Sequence, residues 1–147
     1  MPHFGLGLGY AAQRRDDEAE SALKKAVTLR GSDWRPDSEL GSFFIRRSRY
    51  REAAAAYEAA RALAPDNTII WRNLGTAYFQ LERYDDSAAA FQRALEISPT
   101  AATYTNLGTL RFYQGRYHDA VRKERRRRLR NRRHHGDGAG RRHRGRL

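Results

Sequence analysis

The sequence has no cysteine, which excludes a disulfide framework, a thiolate metal site and a thiol nucleophile together. It also lacks any apolar run of about 18 residues, the length a membrane-spanning helix needs. Residues 1–15 lack the basic, apolar and small-residue succession of a secretory leader. These absences lead to the expectation of a soluble, cytoplasmic chain, and 147 residues are enough for one ordinary domain. Acidic residues are scarce at one end only. Residues 121–147 hold 13 of the 29 lysines and arginines but just two acids, Glu124 and Asp137. The formal charge of +12 therefore sits almost wholly in this tail, and the first 120 residues are balanced.

What is present is a repeat. Leu-Gly occurs at Leu6-Gly7, Leu40-Gly41, Leu74-Gly75 and Leu107-Gly108, spaced by 34, 34 and 33 residues. An aromatic follows three residues on at Tyr10, Phe44 and Tyr78, while the fourth copy has Arg111 with Phe112 beside it. Tyr50, Tyr84 and Tyr117 share a register, as do the small residues Ala19, Ala53, Ser87 and Ala120. Leu23, Tyr57 and Phe91 recur next, then Ala26, Ala60 and Ala94, with Pro65 and Pro99 closing the second and third units. Between Thr68 and Leu81 the apolar residues Ile70, Trp71, Leu74, Ala77, Tyr78 and Leu81 form one helical stripe. Tyr84, Ala88, Phe91, Ala94 and Leu95 form a second, stopped by Pro99. The short link Leu81-Glu82-Arg83 requires the two helices to lie antiparallel.

Trp71, Leu74, Gly75, Tyr78, Ser87, Phe91, Ala94 and Pro99 stand where the tetratricopeptide repeat places its signature residues, and the chain resembles that family from about residue 4 to residue 120. The resemblance implies an all-α fold, a right-handed α-solenoid of antiparallel helix pairs with about three and a half repeats. A hairpin too small to bury its own apolar stripe covers its neighbour instead. Helical glycine costs roughly 1 kcal/mol relative to alanine, so Gly41, Gly75 and Gly108 imply close backbone approach to Ala53, Ser87 and Ala120.

Both ends fray. The first helix, Pro2 to Gln13, carries Gly5, Gly7 and Gly9, and lacks the preceding strand and spacing of a phosphate loop. Its start without a capping segment suggests a piece of a longer repeat protein. In the fourth unit Glu124 replaces the aromatic and Arg127 the alanine of earlier units. The expected division is a repeat domain at 1–120 and an Arg-rich tail at 121–147, helical to about Arg130 and disordered from Asn131.

Function follows from surfaces. By resemblance, the first helices line a concave face bearing Arg35, Ser38, Ser42 and Arg46, then Arg72, Asn73, Thr76 and Gln80, then Thr105, Asn106, Thr109 and Tyr113. Asn73 and Asn106 precede Leu-Gly, where some family members hold a peptide backbone; an amide both donates and accepts, though it can equally bond its own neighbours. The lysine and asparagine clamp of chaperone-binding members is not matched. The expected function is a non-catalytic module binding a protein or extended peptide, without cofactor or metal and without membrane attachment. Asp16-Asp17-Glu18 and Asp85-Asp86 are read as acids at helix starts. His134, His135 and His143 lack acidic or thiol partners for a metal. The rival class is nonspecific nucleic-acid or anionic-surface binding through Arg125, Arg126, Arg127, Arg128, Arg130, Arg132 and Arg133. The Arg, Gly, His and Ala vocabulary of the tail also fits a frame-shifted, non-native end.

Overall fold

The structure, a computed structural model, describes residues 2–144, and side chains from residue 12 to residue 135. Six helices follow one another: α1 (Pro2–Leu29), α2 (Arg35–Arg46), α3 (Tyr50–Leu63), α4 (Thr68–Gln80), α5 (Tyr84–Ile97) and α6 (Ala101–Arg144). There are no strands among the described residues. The chain divides into two compact units, residues 1–110 and 111–147. The first is the all-α solenoid of antiparallel pairs that the repeat implies. The second is the remainder of α6. No described helix is long and apolar enough to cross a membrane.

Local chemistry sets the helix ends. Asn67 caps α4 by accepting from the Ile69 and Ile70 amides at 3.0 and 3.3 Å. Pro36 lies in the first turn of α2, where its missing amide hydrogen costs nothing. The link from α2 to α3 turns on Ser48, and that from α4 to α5 on Glu82, both in the left-handed region with φ of 57° and 60°. In each link the amide three residues past the helix bonds back five residues at 2.9 Å, Arg49 to Phe44 and Arg83 to Tyr78. Left-handed conformation strains a residue with a side chain. Each hairpin must therefore gain more by closing than its turn loses.

Packing supplies that gain. Leu40, Phe43, Phe44, Ala53, Tyr57, Leu74, Ala77 and Tyr78 belong to one buried cluster, against which Leu23, Val27 and Trp71 pack. Ala88, Phe91 and Leu110 form a second with Phe79, Tyr84 and Leu107. Burying one such large side chain contributes about 1.5–3 kcal/mol. At the heart of each closed hairpin a ring lies on a glycine. A Cβ added at Gly41 would come within 2.9 Å of the Tyr57 ring, and one at Gly75 within 2.8 Å of Phe91. The buried Ser87 hydroxyl then donates to the Gly75 carbonyl at 2.7 Å. So the small residues in register with Ala53 do permit approach, but the atoms that meet the glycine are aromatic.

The end units depart from the expected hairpins. The expected break after Gln13 is absent, and α1 is one helix of 28 residues. Asp16, Asp17 and Glu18 consequently lie within it rather than at a helix start, and the Arg14–Glu18 ion pair bridges the expected turn. Ala19 is exposed, having no second helix of its own unit to approach; Leu6, Gly7 and Tyr10 lie outside the described side chains. Likewise α6 continues through Gly115, the residue in register with Ser48 and Glu82. Nothing lies within 4 Å of a Cβ added at Gly108, and Ala120 is exposed, so the expected contact between them is not made. The reason is the substitution of Glu124 and Arg127 for the ring and the alanine. Folding back would bury charge instead of apolar surface. The backbone stays helical past Asn131 to Arg144, where the composition had led to an expectation of disorder.

α1 is fastened to the first closed hairpin by ions. Arg49 donates two hydrogen bonds to Glu20 at 2.7 and 2.8 Å, binds Glu52, and stacks over Phe44 with its guanidinium 4.6 Å from the ring centre. Arg47 pairs with Asp16, and Arg30 with the buried Asp37 of α2.

Candidate functional site

The helical repeat brings α4 and the first turns of α6 alongside each other in the first unit. On α4, Arg72, Thr76 and Gln80 follow one another at intervals of four, with Asn73 adjoining. On α6 the matching positions are Thr105, Asn106 and Thr109. A groove of about 210 Å³ opens between the helices, lined by Thr76, Phe79, Gln80, Phe91, Asn106 and Thr109. Four of the sequence-predicted residues thus share one hollow.

The others are differently disposed. Ser42 is engaged internally, its hydroxyl 2.9 Å from that of Tyr57, and burial pushes the Tyr57 phenol above its ordinary range. Arg35 is held by Asp33 through its guanidinium at 2.9 and 3.1 Å, an interaction that keeps the Asp33 carboxyl below its usual range. Ser38 is half-buried and Arg46 exposed on α2, neither lining the groove. Thr76 and Thr105 donate to carbonyls of their own helices at 3.2 and 3.0 Å, leaving hydroxyl lone pairs outward. Tyr113 is exposed and belongs to the second unit.

Asn73 and Asn106 behave alike. Neither side chain makes a hydrogen bond within the protein among the described residues, and Asn106 is exposed. Of the two roles open to them from the sequence, bonding their own neighbours is not the one observed. Arg46 and Arg72 also lack an ion pair among the described residues. The groove therefore presents the Asn106 amide and threonine hydroxyls at its rim, while Asn73 and Arg72 stand on α4 outside its lining.

Sequence reasoning missed Phe79 and Phe91 as groove residues. Phe91 was legible only as the ring that packs within the hairpin. For Phe79 the signal was an aromatic immediately after Tyr78, repeated at Phe112 after Arg111. Tyr78 already fills the interior position of that turn, so its neighbour faces elsewhere.

The acids at the start of α5 have a structural role. Asp85 and Asp86 stand in the first turn of α5, and Asp86 pairs with Arg83 at 3.0 Å. Among the described residues no three histidines, aspartates or glutamates are grouped to hold a metal. His134 and His135 are exposed, and His143 lies outside the described side chains. In the second unit Arg125, Arg126, Arg127, Arg128, Arg130, Arg132 and Arg133 are exposed around a helix. Glu124 accepts from Arg127 and Arg128 at 2.9 and 3.2 Å, which holds its carboxyl below the usual range. Hollows of about 870 and 510 Å³ lie between these long side chains, and among the described residues this one helix alone walls them. Such hollows are open to solvent and enclose nothing.

Comparison with known proteins agrees with the geometry. Residues 39–102 match the family model described as tetratricopeptide repeat. Among solved structures, the first such domain of Spaghetti (RPAP3), bound to the HSP90 peptide SRMEEVD, superposes with a TM-score of 0.65 at 20% identity, covering 76% of this chain and 89% of that one. The Arabidopsis OM64 tetratricopeptide domain gives 0.63 at 21%, covering 73% and 89%. MamA from Desulfovibrio magneticus RS-1 gives 0.64 at 22%, covering 82% and 68%. No curated protein matches the sequence. Identities this low establish a shared fold, and the ring-on-glycine hairpins of α2–α3 and α4–α5 coincide with the matched residues: the chain carries a tetratricopeptide-repeat segment at residues 39–102.

Proposed function

We propose that the chain is a non-catalytic protein–protein interaction module that receives a peptide or protein partner on the concave face of its repeat stack. The observation that carries this reading is the pair of unbonded amides, Asn73 and Asn106, on the two helices flanking a polar-rimmed groove. An amide that donates to a carbonyl and accepts from an N–H can hold an extended backbone without reading its sequence. The first such domain of Spaghetti is solved bound to an HSP90 peptide, so a peptide guest on this fold has a precedent. Because the lysine and asparagine clamp for a terminal carboxylate is not matched here, the guest we propose is a different one, held along its length.

The test is a partner recovered by pull-down with the full chain. Changing Arg72, Asn73 and Thr76 together to alanine should lower its affinity at least tenfold, about 1.4 kcal/mol, while helicity and melting temperature stay unchanged. Undiminished binding by the folded variant would move the site off this face. The exposed arginines of α6 support a second reading, nonspecific attraction to nucleic acid, which predicts affinity falling steeply with salt.

A further inference from the structure

In the second unit, every side chain of α6 from Arg122 to His135 is exposed except that of Glu124, which is half-buried. Residues seven apart on a helix stand two turns apart in one row. Arg125 and Arg132 make one such row, and Arg126 and Arg133 make a second about 100° round the axis, with Leu129 between the two. Arg130 lies just outside the second row. None of these five arginines has an ion pair among the described residues. The neutralised ones stand elsewhere. Glu124 takes Arg127 and Arg128 at 2.9 and 3.2 Å on the far side of the helix, and Asp119 holds Arg122 at 3.5 Å before the rows begin. The front of the segment thus keeps its charge.

Two rows on a cylinder suit two facing walls of phosphates. We infer that this segment of α6 lies in the major groove of B-form DNA, with Arg125 and Arg132 on one phosphate wall and Arg126, Arg130 and Arg133 on the other. The inference rests on the second reading above, attraction of these arginines to nucleic acid, and narrows it to one form of duplex. A helix about 10–12 Å across fits a groove about 12 Å wide. Leu129 then faces the base edges, where a thymine methyl is an apolar neighbour. Double-stranded RNA is a poorer host because its major groove is deep and narrow. Residues 122–135 contain no phenylalanine, tyrosine or tryptophan on which single-stranded bases could stack. Leu129 is also the one apolar side chain in that stretch, too little to bed a helix in a lipid surface.

The experiment is fluorescence anisotropy with the full chain and five probes: a short DNA duplex, an RNA duplex of the same sequence, either DNA strand alone, polyglutamate, and phosphatidylserine vesicles. The DNA duplex should bind at least tenfold more tightly than any other probe. Its log affinity should fall against log salt with a slope of about −4.5, from five phosphates at about 0.9 each. Arg125→Ala with Arg132→Ala should weaken DNA binding at least tenfold and flatten that slope by about 2. Arg127→Ala with Arg128→Ala removes the same charge from the far side and should cost less than threefold. Leu129→Pro keeps every arginine but breaks the helix, and should also cost at least tenfold while α2 to α5 melt as before. Should the proline disturb the fold, Leu129→Glu sets an acid between the rows and has the same expected effect. Equal losses from the two arginine pairs, full binding by the folded Leu129 variants, or another probe bound as tightly as the DNA duplex overturns the groove and leaves nonspecific attraction standing. No binding of any nucleic acid by the folded chain overturns both.

Discussion

Gly41, Gly75 and Gly108 occupy one register in three successive units, yet only two of them are covered by a ring. Their substitutions should therefore differ in sign. Gly75→Leu drives a branched side chain into Phe91 and should unfold the stack, seen as loss of cooperative melting by circular dichroism. Gly75→Ala should also destabilise, since its methyl would lie 2.8 Å from the ring. At Gly108 no ring intervenes, and Gly108→Ala should raise stability by about 1 kcal/mol through helix propensity alone. Equal effects at the two positions would contradict the packing account. Tyr78 gives a second residue-scale forecast. Burial, with its 2.5 Å hydrogen bond to Glu58, pushes its phenol up to about 12. A raised folded value means the contribution is complete below the unfolded value near 10. It disappears as pH rises through about 12, so ultraviolet titration should show Tyr78, along with the likewise raised Tyr57, ionising late and together with unfolding.

At the scale of the element, α1 depends on ions where α3 and α5 depend on rings. The hydrogen bonds from Arg49 and then from Lys24 hold the Glu20 carboxyl down at about 2. A depressed folded value contributes stability that is present above the ordinary glutamate value and lost as pH falls through the folded one. Acidification from about 4.5 towards 2 should accordingly release α1 before the hairpins α2–α3 and α4–α5. Hydrogen exchange read along the chain would show amides of residues 16–29 losing protection first. Glu20→Gln should abolish that acid-dependent step while lowering protection of the same amides at neutral pH. Simultaneous loss of protection in all helices would sink the assignment. Such an order follows from the repeat architecture, in which each unit leans only on its neighbours.

For the whole molecule, the groove we propose for a partner and the Arg-rich run lie in separate units, residues 1–110 and 111–147. Deleting residues 121–147 removes a charge of +11. It should leave the melting of α2 to α5 and the affinity for a partner recovered by pull-down unchanged, while any salt-dependent attraction to duplex DNA in a mobility shift disappears. If partner affinity falls with the deletion, the concave face is not sufficient. If DNA affinity persists without the tail, the arginines are not its source.

Much of this was legible beforehand, and the parts that were not have a common cause. Pro99 after α5, the stripe from Ile70 to Leu81 and the 34-residue spacing depend on chain-local rules, helical period and missing amide hydrogens, so the sequence by itself determined the helices α2 to α5 and their pairing. Where a turn forms against its own strain, the decision belongs to tertiary structure. Ser48 and Glu82 accept left-handed backbone because Tyr57 and Phe91 gain a glycine to rest on. Gly115 could take that conformation freely yet stays helical, because Glu124 offers nothing to bury. The groove was decided the same way. Thr76, Gln80, Asn106 and Thr109 could be placed on one face by counting, but Phe79 and Phe91 became its floor only when α4, α5 and α6 were set side by side. Counting reports which face a residue occupies along its own helix, and the depth of a hollow depends on the distance between helices, which is set by the side chains that meet there.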